Sequence, residues 1–243
     1  MTKIERFEAM DRCLFWKERK MLVVGDLHLG YEGLLNERGW TFPRTQVDET
    51  LEILKRIFEK TGKLKEVVLL GDVKHYFAGV LTMEFRDVYK IIEFIKKNLY
   101  ENGKIVIVKG NHDNILEPIV KNYNFVELKD NYFVEDVCFF HGDKDSFSKF
   151  ILDSKAKKCK LVVVGHFHPA VTLIEDAKSE KYKCFLFGKD NKLKKQMIVV
   201  PSFFPLIEGS DVLKEIRERD FSDFRVFVVS DRVYDFGKVK SLG

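Results

Sequence analysis

"KIVIVKGNHD" (Lys104 to Asp113) is a β-type apolar run that stops at a glycine and passes at once into an amide, an imidazole and a carboxylate. A short β-branched run bounded by glycine reads as a buried strand, and the polar cluster behind it as a loop that carries chemistry. The same grammar recurs in "MLVVGD" (Met21 to Asp26), "EVVLLGD" (Glu66 to Asp72), "VCFFHGD" (Val137 to Asp143) and "KLVVVGHFH" (Lys160 to His168). Between these runs, Arg44 to Lys60 carries Val47, Leu51, Leu54, Ile57 and Phe58 near helical spacing, and Phe85 to Leu99 does so with Val88, Ile91, Ile92 and Ile95. Strand, helix, strand is the grammar of an α/β sheet. After His168 it changes: "AVTLI", "KCFLFGKDNKLKKQMIVV" and "FRVFVVSDRVYDFG" read as strands joined by polar turns, with one short helix expected near Asp211 to Glu218. That change predicts a second sheet, or an antiparallel extension, packed on the first.

At 243 residues and 45% apolar content the chain can bury a large core, and we expect a single domain over residues 1–243. No run of roughly 18 apolar residues is available to span a bilayer. The start, "MTKIERFEAMDRC", is too charged for the apolar stretch of a signal peptide, so the expected location is cytoplasmic, away from membranes. Cys13, Cys138, Cys159 and Cys184 are scattered without a C-x-x-C pair, which argues against a thiolate zinc site or a disulfide framework. The 42 basic and 38 acidic residues leave a net charge of +4, far from that of a dedicated nucleic-acid binder. "SKAKKCK" (Ser154 to Lys160) and "GKDNKLKKQ" (Gly188 to Gln196) concentrate lysines, and a solvated helix face and a hairpin tip account for them more simply than phosphate contacts.

All six histidines lie at or shortly after the end of a strand-like run: His28, His75, His112, His141, His166 and His168. In an α/β sheet the carboxyl ends of the strands converge on one edge, so residues far apart in sequence become neighbours there. The set gathered in this way is Asp26, His28, Asp72, Asn111, His112, His141, His166 and His168. Carboxylate, imidazole and amide oxygen together suit borderline divalent ions such as Mn, Fe, Zn, Co or Ni. Eight candidates exceed the needs of one ion, whereas two ions with a shared ligand would use them.

"DLH" (26 to 28), "GD" (71 to 72), "GNHD" (110 to 113), "HG" (141 to 142) and "GHFH" (165 to 168) resemble, in order and spacing, the five motifs of the calcineurin-like metallophosphoesterase superfamily. The resemblance implies a two-sheet β-sandwich flanked by helices, a four-layer α/β/β/α fold. It also implies two divalent ions, Mn foremost: Asp26, His28 and His168 would bind the first and Asn111, His141 and His166 the second, with Asp72 bridging. His112 would protonate the leaving oxygen or stabilise charge on the phosphoryl group, and Asp113 would support it. Two ions about 3.5 to 4 Å apart neutralise phosphate oxygens and lower the pKa of a bridging water. The expected activity is that of a phosphodiesterase or nuclease acting on a nucleic acid or nucleotide. A monoesterase or pyrophosphohydrolase of small metabolites and a metal-free scaffold are the alternatives.

In nuclease-like relatives a histidine or acid often stands where His75 does, three residues after the bridging aspartate, so His75 either meets substrate or buttresses a ligand. The long connection His28 to Gln46 offers Arg38 and Arg44 to a phosphate, and Tyr31 or Trp40 to a base, although for each residue singly a loop packed by its own aromatics, with an arginine capping the next helix, is the simpler account. Its "HLGYE", "RG" and "PR" are similar to an archaeal group of small phosphoesterases related to bacterial ones associated with DNA ligase and helicase genes. "PSFFPLIEGSD" (Pro201 to Asp211) resembles a loop of the same group that borders the pocket, although two prolines and two phenylalanines also suit a turn that fills a core. The oligomeric state is not readable from the sequence.

Overall fold

The computed structural model of the chain describes residues 2–41, 43–76, 82–113, 115–175, 178–216 and 218–242. Among them, seven strands form one sheet in chain order: β1 (Thr2–Ile4), β2 (Phe7–Met10), β3 (Cys13–Trp16), β4 (Met21–Val24), β5 (Leu64–Leu69), β6 (Leu99–Val108) and β7 (Val126–Lys129). The first four pair antiparallel. From β4 to β7 the pairing is parallel, which demands crossovers. These carry α1 (Tyr31–Glu37) and α2 (Gln46–Thr61), then α3 (Thr82–Lys97), then α4 (Glu117–Val120).

The second sheet begins at β8 (Tyr132–Val134) and β9 (Val137–Phe140). It continues through α5 (Lys144–Leu152) to β10 (Leu161–Val164), β11 (Pro169–Glu175), β12 (Lys178–Asp190), β13 (Lys195–Val199), β14 (Ser210–Asp211), β15 (Arg225–Val229) and β16 (Val233–Lys238). Its spatial order is β14-β11-β12-β13-β10-β9-β8, with β15 on β12 and β16 on β15. Here β10 is parallel to both β9 and β13, while the β11–β12, β12–β13 and β15–β16 pairs are antiparallel.

Side chains alternate across a strand, and this sorts the core into layers. Val23, Val68, Val106 and Val108 join Phe7, Leu14 and Trp16 in the core shared with the second sheet. Their neighbours Leu22, Val24, Val67, Leu69, Ile105 and Ile107 pack instead with Ile53, Leu54 and Ile57 of α2 and Ile91, Ile92 and Ile95 of α3. In β9, Phe139 meets Phe7 across the sheets, with ring centroids 6.4 Å apart. The next residue, Phe140, stacks on Phe150 of α5 at 4.7 Å. The order of layers is helix, sheet, sheet, helix, as the resemblance implied.

Local chemistry sets the helix ends. Asp143 caps α5, its carboxylate accepting from the amides of Asp145 and Ser146. The buried Glu32 accepts from the amides of Thr45 and Gln46 at 2.9 and 2.8 Å and so caps α2 from another element. Gly62, at φ +67°, stops α2 by donating to the carbonyl of Phe58.

Three expectations need correction. The second sheet starts at Tyr132 rather than after His168, because β8 pairs with β9, β9 with β10, and β10 with β13. The stretch near Asp211 to Glu218 is not a helix among the described residues: Asp211 pairs in β14, and its carbonyl accepts from Lys214 and Glu215 in a single turn. The connection His28 to Gln46 contains α1. The four cysteines are all buried and free. Among the described residues no helix is long and apolar enough to cross a membrane.

Phe139 spans the two sheets with no exposed surface. Phe139→Ala is expected to cost about 3–5 kcal/mol in urea unfolding, through lost transfer energy and the cavity left behind. A loss below about 1 kcal/mol would contradict the inter-sheet core.

Candidate metal centre

The strands β4, β5, β6, β9 and β10 each end one to six residues before a residue of the expected site. Backbone hydrogen bonds tie the loops behind them together. His28 N–H donates to the carbonyl of Asp72 at 2.8 Å and Leu29 N–H to that of Val73 at 2.9 Å. In the second sheet Gly165 N–H donates to His141 at 2.8 Å, and between the sheets Phe203 N–H donates to Gly25 at 3.0 Å.

The loops assemble two donor groups that include a carboxylate, and a third cluster, His28, His75 and His112, that shares His28 with the first and holds imidazoles alone. In the first, Asp26, His28 and His168 each place a ligand atom within 4.8 Å of the others. Nε2 of His28 is 3.2 Å from Nε2 of His168, which lies 3.4 Å from Asp26 Oδ1. In the second, Asp72, His141 and His166 meet in the same way, with His166 Nδ1 3.2 Å and Asn111 Oδ1 3.2 Å from His141 Nε2. Asp72 Oδ2 stands between the groups, 3.3 Å from His141 Nε2 and 3.8 Å from His28 Nε2. All seven expected ligands are therefore together. Separations of 3.2–3.4 Å match neighbouring donors around a single ion with bonds of about 2.0–2.2 Å.

Holding so many polar groups at this spacing needs an unusual backbone. Asp26, His28, Asp72, His166 and His168 have positive φ, between 35° and 66°. Such conformations cost on the order of 1–3 kcal/mol each and cluster at functional sites. The motif glycines have a related cause. A Cβ on Gly165 would lie 2.6 Å from Asp26 Oδ2, and one on Gly110 would lie 2.3 Å from Asp72 Oδ1, so any larger residue would displace a carboxylate.

The carboxylates also receive backbone donors: His166 N–H reaches Asp26 Oδ1 at 3.1 Å and His112 N–H reaches Asp72 Oδ1 at 2.9 Å. Burial opposes the ionisation of both, but His168 and His141 beside Asp26, and His141 and His28 beside Asp72, hold them below the ordinary carboxylate range. Burial, then the His168 charge, pushes His28 down to about 3. Burial and then His141 lower His166. Both imidazoles therefore present neutral nitrogen, the form that ligates metal. His141 goes the other way: burial disfavours its cation, yet the hydrogen bond and charge of Asp72, with Asp26 behind, raise it to about 10.

The remaining expected residues form the rim. His112 Nδ1 lies 2.6 Å from the carbonyl of His75, which can only accept, so this nitrogen carries the proton. The two rings stack at 5.3 Å. His75 Nδ1 is 3.3 Å from His28 Nδ1, which places His75 behind a candidate ligand. Asp113 turns to the loop backbone, accepting from Val73 N–H and Gly110 N–H, each at 3.0 Å. Burial, then Asp72, raises its carboxyl to about 7. Arg38 caps the end of α1 at the surface, and its charge acts on His75. Arg44 pairs with Asp87 of α3 at 3.0 Å. The lysine clusters fall on a short 3-10 helix, Ser154–Lys158, and on the β12–β13 turn. A groove of about 460 Å³ adjoins Asn111, with Lys109, Asp143 and Lys149 in its wall.

Two contributors escape the sequence reading. The Gln46 amide donates to the carbonyls of Leu27 at 3.2 Å and His28 at 2.7 Å, and Ser202 Oγ donates to that of Asp26 at 3.0 Å. The one available signal was the rarity of glutamine, Gln46 being one of two in the chain.

A ligand imidazole must be neutral, so a divalent ion has to expel the proton that His141 holds in the metal-free chain below about pH 10. Manganese affinity should therefore rise with pH, by about tenfold per unit from this group, and flatten as pH nears that value. Calorimetry at pH 8 in buffers of different ionisation enthalpy should show about one proton released as the His141 site fills; none released would contradict this assignment.

A calcineurin-like phosphoesterase family model matches residues 19–215. Among curated proteins nothing matches. Of the solved structures, the nuclease MPE from Pseudomonas putida is 19% identical with a TM-score of 0.61, covering 95% of this chain and 100% of its own. A protein of unknown function from Aquifex aeolicus is 20% identical with a TM-score of 0.42, over 61% of this chain and 78% of its own. Vacuolar protein sorting 29 from Cryptosporidium parvum is 16% identical with a TM-score of 0.37, over 90% and 97% respectively. With the family model spanning both sheets and both donor groups, the chain belongs to the calcineurin-like phosphoesterases.

Proposed function

We propose that this chain is a dinuclear metal-dependent phosphodiesterase or nuclease. The observation that carries the proposal is the position of Asp72 Oδ2, within 3.8 Å of His28 in one donor group and 3.3 Å of His141 in the other. An anionic carboxylate can bridge two cations through one oxygen or both, which the neutral amide of an asparagine does poorly. Asp26, His28 and His168 would hold one ion, and Asn111, His141 and His166 the other. Divalent ions there, Mn²⁺ foremost with Fe, Ni, Co or Zn as the further candidates, would neutralise phosphate oxygens and acidify a water.

The chain's own groups do the rest. The His75 carbonyl fixes a proton on His112 Nδ1, so a second proton on this ring would sit on Nε2. In its protonated form His112 donates from Nε2 to the leaving oxygen, an aid of about 10² to 10⁴-fold. Asp113 holds the loop of His112 to that of Val73. Arg38, on the His75 side, and Arg44 can each meet a phosphate oxygen. Trp40 is 69% exposed and open to stacking by a base, whereas Tyr31 already packs on His75 and Phe204. The description of the Pseudomonas neighbour as a nuclease, and the likeness of the His28 to Gln46 loop to an archaeal group of small phosphoesterases related to ligase-associated ones, support a phosphodiester substrate.

Purified protein assayed with Mn²⁺ should hydrolyse bis-p-nitrophenyl phosphate, a 2′,3′-cyclic nucleotide or single-stranded DNA faster than p-nitrophenyl phosphate. Monoester turnover far above diester turnover would overturn the proposal. His112→Ala should retain both ions and lose about 10² to 10⁴-fold in kcat; loss of an ion instead would remove His112 from the acid role. By elemental analysis after dialysis, His168→Ala should deplete the first site, His166→Ala the second and Asp72→Asn both. Uniform depletion in all three would contradict the division into two sites.

A further inference from the structure

The segment Pro201–Phe204 follows β13 and runs irregularly against the turn that carries Asp26. Phe203 N–H donates to Gly25 at 3.0 Å, Phe204 N–H to the Asp26 carbonyl at 3.3 Å, and Ser202 Oγ to that same carbonyl at 3.0 Å. Phe203 and Phe204 are fully buried, and the Phe204 ring packs 6.3 Å from His28. Buried carbonyls with no strand partner still require donors. Here they are supplied by two basic side chains from different sheets. Lys183 Nζ, on β12, donates to the carbonyls of Ser202, at 2.8 Å, and Phe204. Arg12, just after β2, donates from Nη1 to the carbonyl of Phe203 between them, at 3.0 Å. Three successive carbonyls are thereby gripped on one side while the amides and the hydroxyl grip Gly25 and Asp26 on the other.

We propose that Lys183 is a positioning residue for the first metal site, clamping residues 202–204 with Arg12 so that Asp26 is held at its strained φ of +35°. The inference rests on the two-site reading above. It has a sign that a direct charge effect lacks. Burial, and then the charge of Arg12, lower Lys183 to about 7, while the charge of Asp26 favours its cation. Were the charge of that cation its whole contribution, removing it would make the centre more negative and tighten divalent ions. Loss of the clamp weakens them, and only in the half of the centre that the segment touches.

The test places Lys183→Met in two single-site backgrounds, His166→Ala, which keeps the first site, and His168→Ala, which keeps the second. Mn²⁺ dissociation constants are read by calorimetry. In the His166→Ala background the affinity should fall about tenfold or more, the usual effect of losing an outer support of a ligand. In the His168→Ala background it should stay within about twofold, because the clamped segment bonds Gly25 and Asp26 and none of Asn111, His141 and His166. Tighter binding, no change, or an equal loss in both backgrounds would overturn the clamp. Ser202→Ala cuts the same chain of contacts without removing a charge and should show the same selectivity; if Lys183→Met fails to fold by thermal melting, its result decides. Failure of the unmodified chain to take up Mn²⁺ would instead overturn the two-site reading itself.

Discussion

Two carboxylates almost without exposed surface, Asp26 at 0% and Asp72 at 2%, share one buried volume, and His141 lies within 3.7 Å of the first and 3.3 Å of the second. Like charges in such a place repel by several kcal/mol even at an effective dielectric of about 20. The centre is stable only with cations among the carboxylates: imidazolium in the metal-free chain and divalent ions when they bind. Its neutral imidazoles, its raised His141 and its carboxylates held below their ordinary range are three expressions of that one requirement.

The fold meets it by rigidity. β4, β5 and β6 end side by side in one sheet, and β9 and β10 in the other. β4, β9 and β10 are buried along their length and β5 and β6 over their last four residues, so the loops behind them begin from fixed points. Strained φ at five candidate ligands is tolerable because neighbouring loops are cross-tied by main-chain hydrogen bonds and the segment Pro201–Phe204 spans the gap between the sheets. Glycines at 110 and 165 are part of the same solution, since they allow the carboxylates to approach another loop's backbone.

Much of this was legible in the sequence for local reasons. The runs that became β4, β5, β6, β9 and β10 are apolar and β-branched, and each stops at a glycine or a polar cluster, so composition alone marks both the strand and the start of its loop. The helical spacing of Val47 to Phe58 and of Val88 to Ile95 located α2 and α3 to within about three residues. The hairpins β1 to β3 were missed because charged residues interrupt them, as Glu8, Asp11 and Arg12 do. The turn after Asp211 looked helical because nothing local reports that Asp211 pairs with Ala170.

The sequence by itself determined which residues could ligate, because ligand chemistry belongs to the residue type, and six histidines placed behind strands leave few other uses. The resemblance of the motifs implied the division into two groups with Asp72 between them; what only the tertiary structure decided is how they are supported, with His75 behind His28 and Lys183 and Arg12 on the segment that holds Asp26. His28 and His75 are 47 residues apart, Arg12 and Phe203 are 191 apart, and Ser202 and Asp26 are 176 apart. Strand order, register and the meeting of two sheets are set by the packing of the whole core, and no window of sequence contains that information.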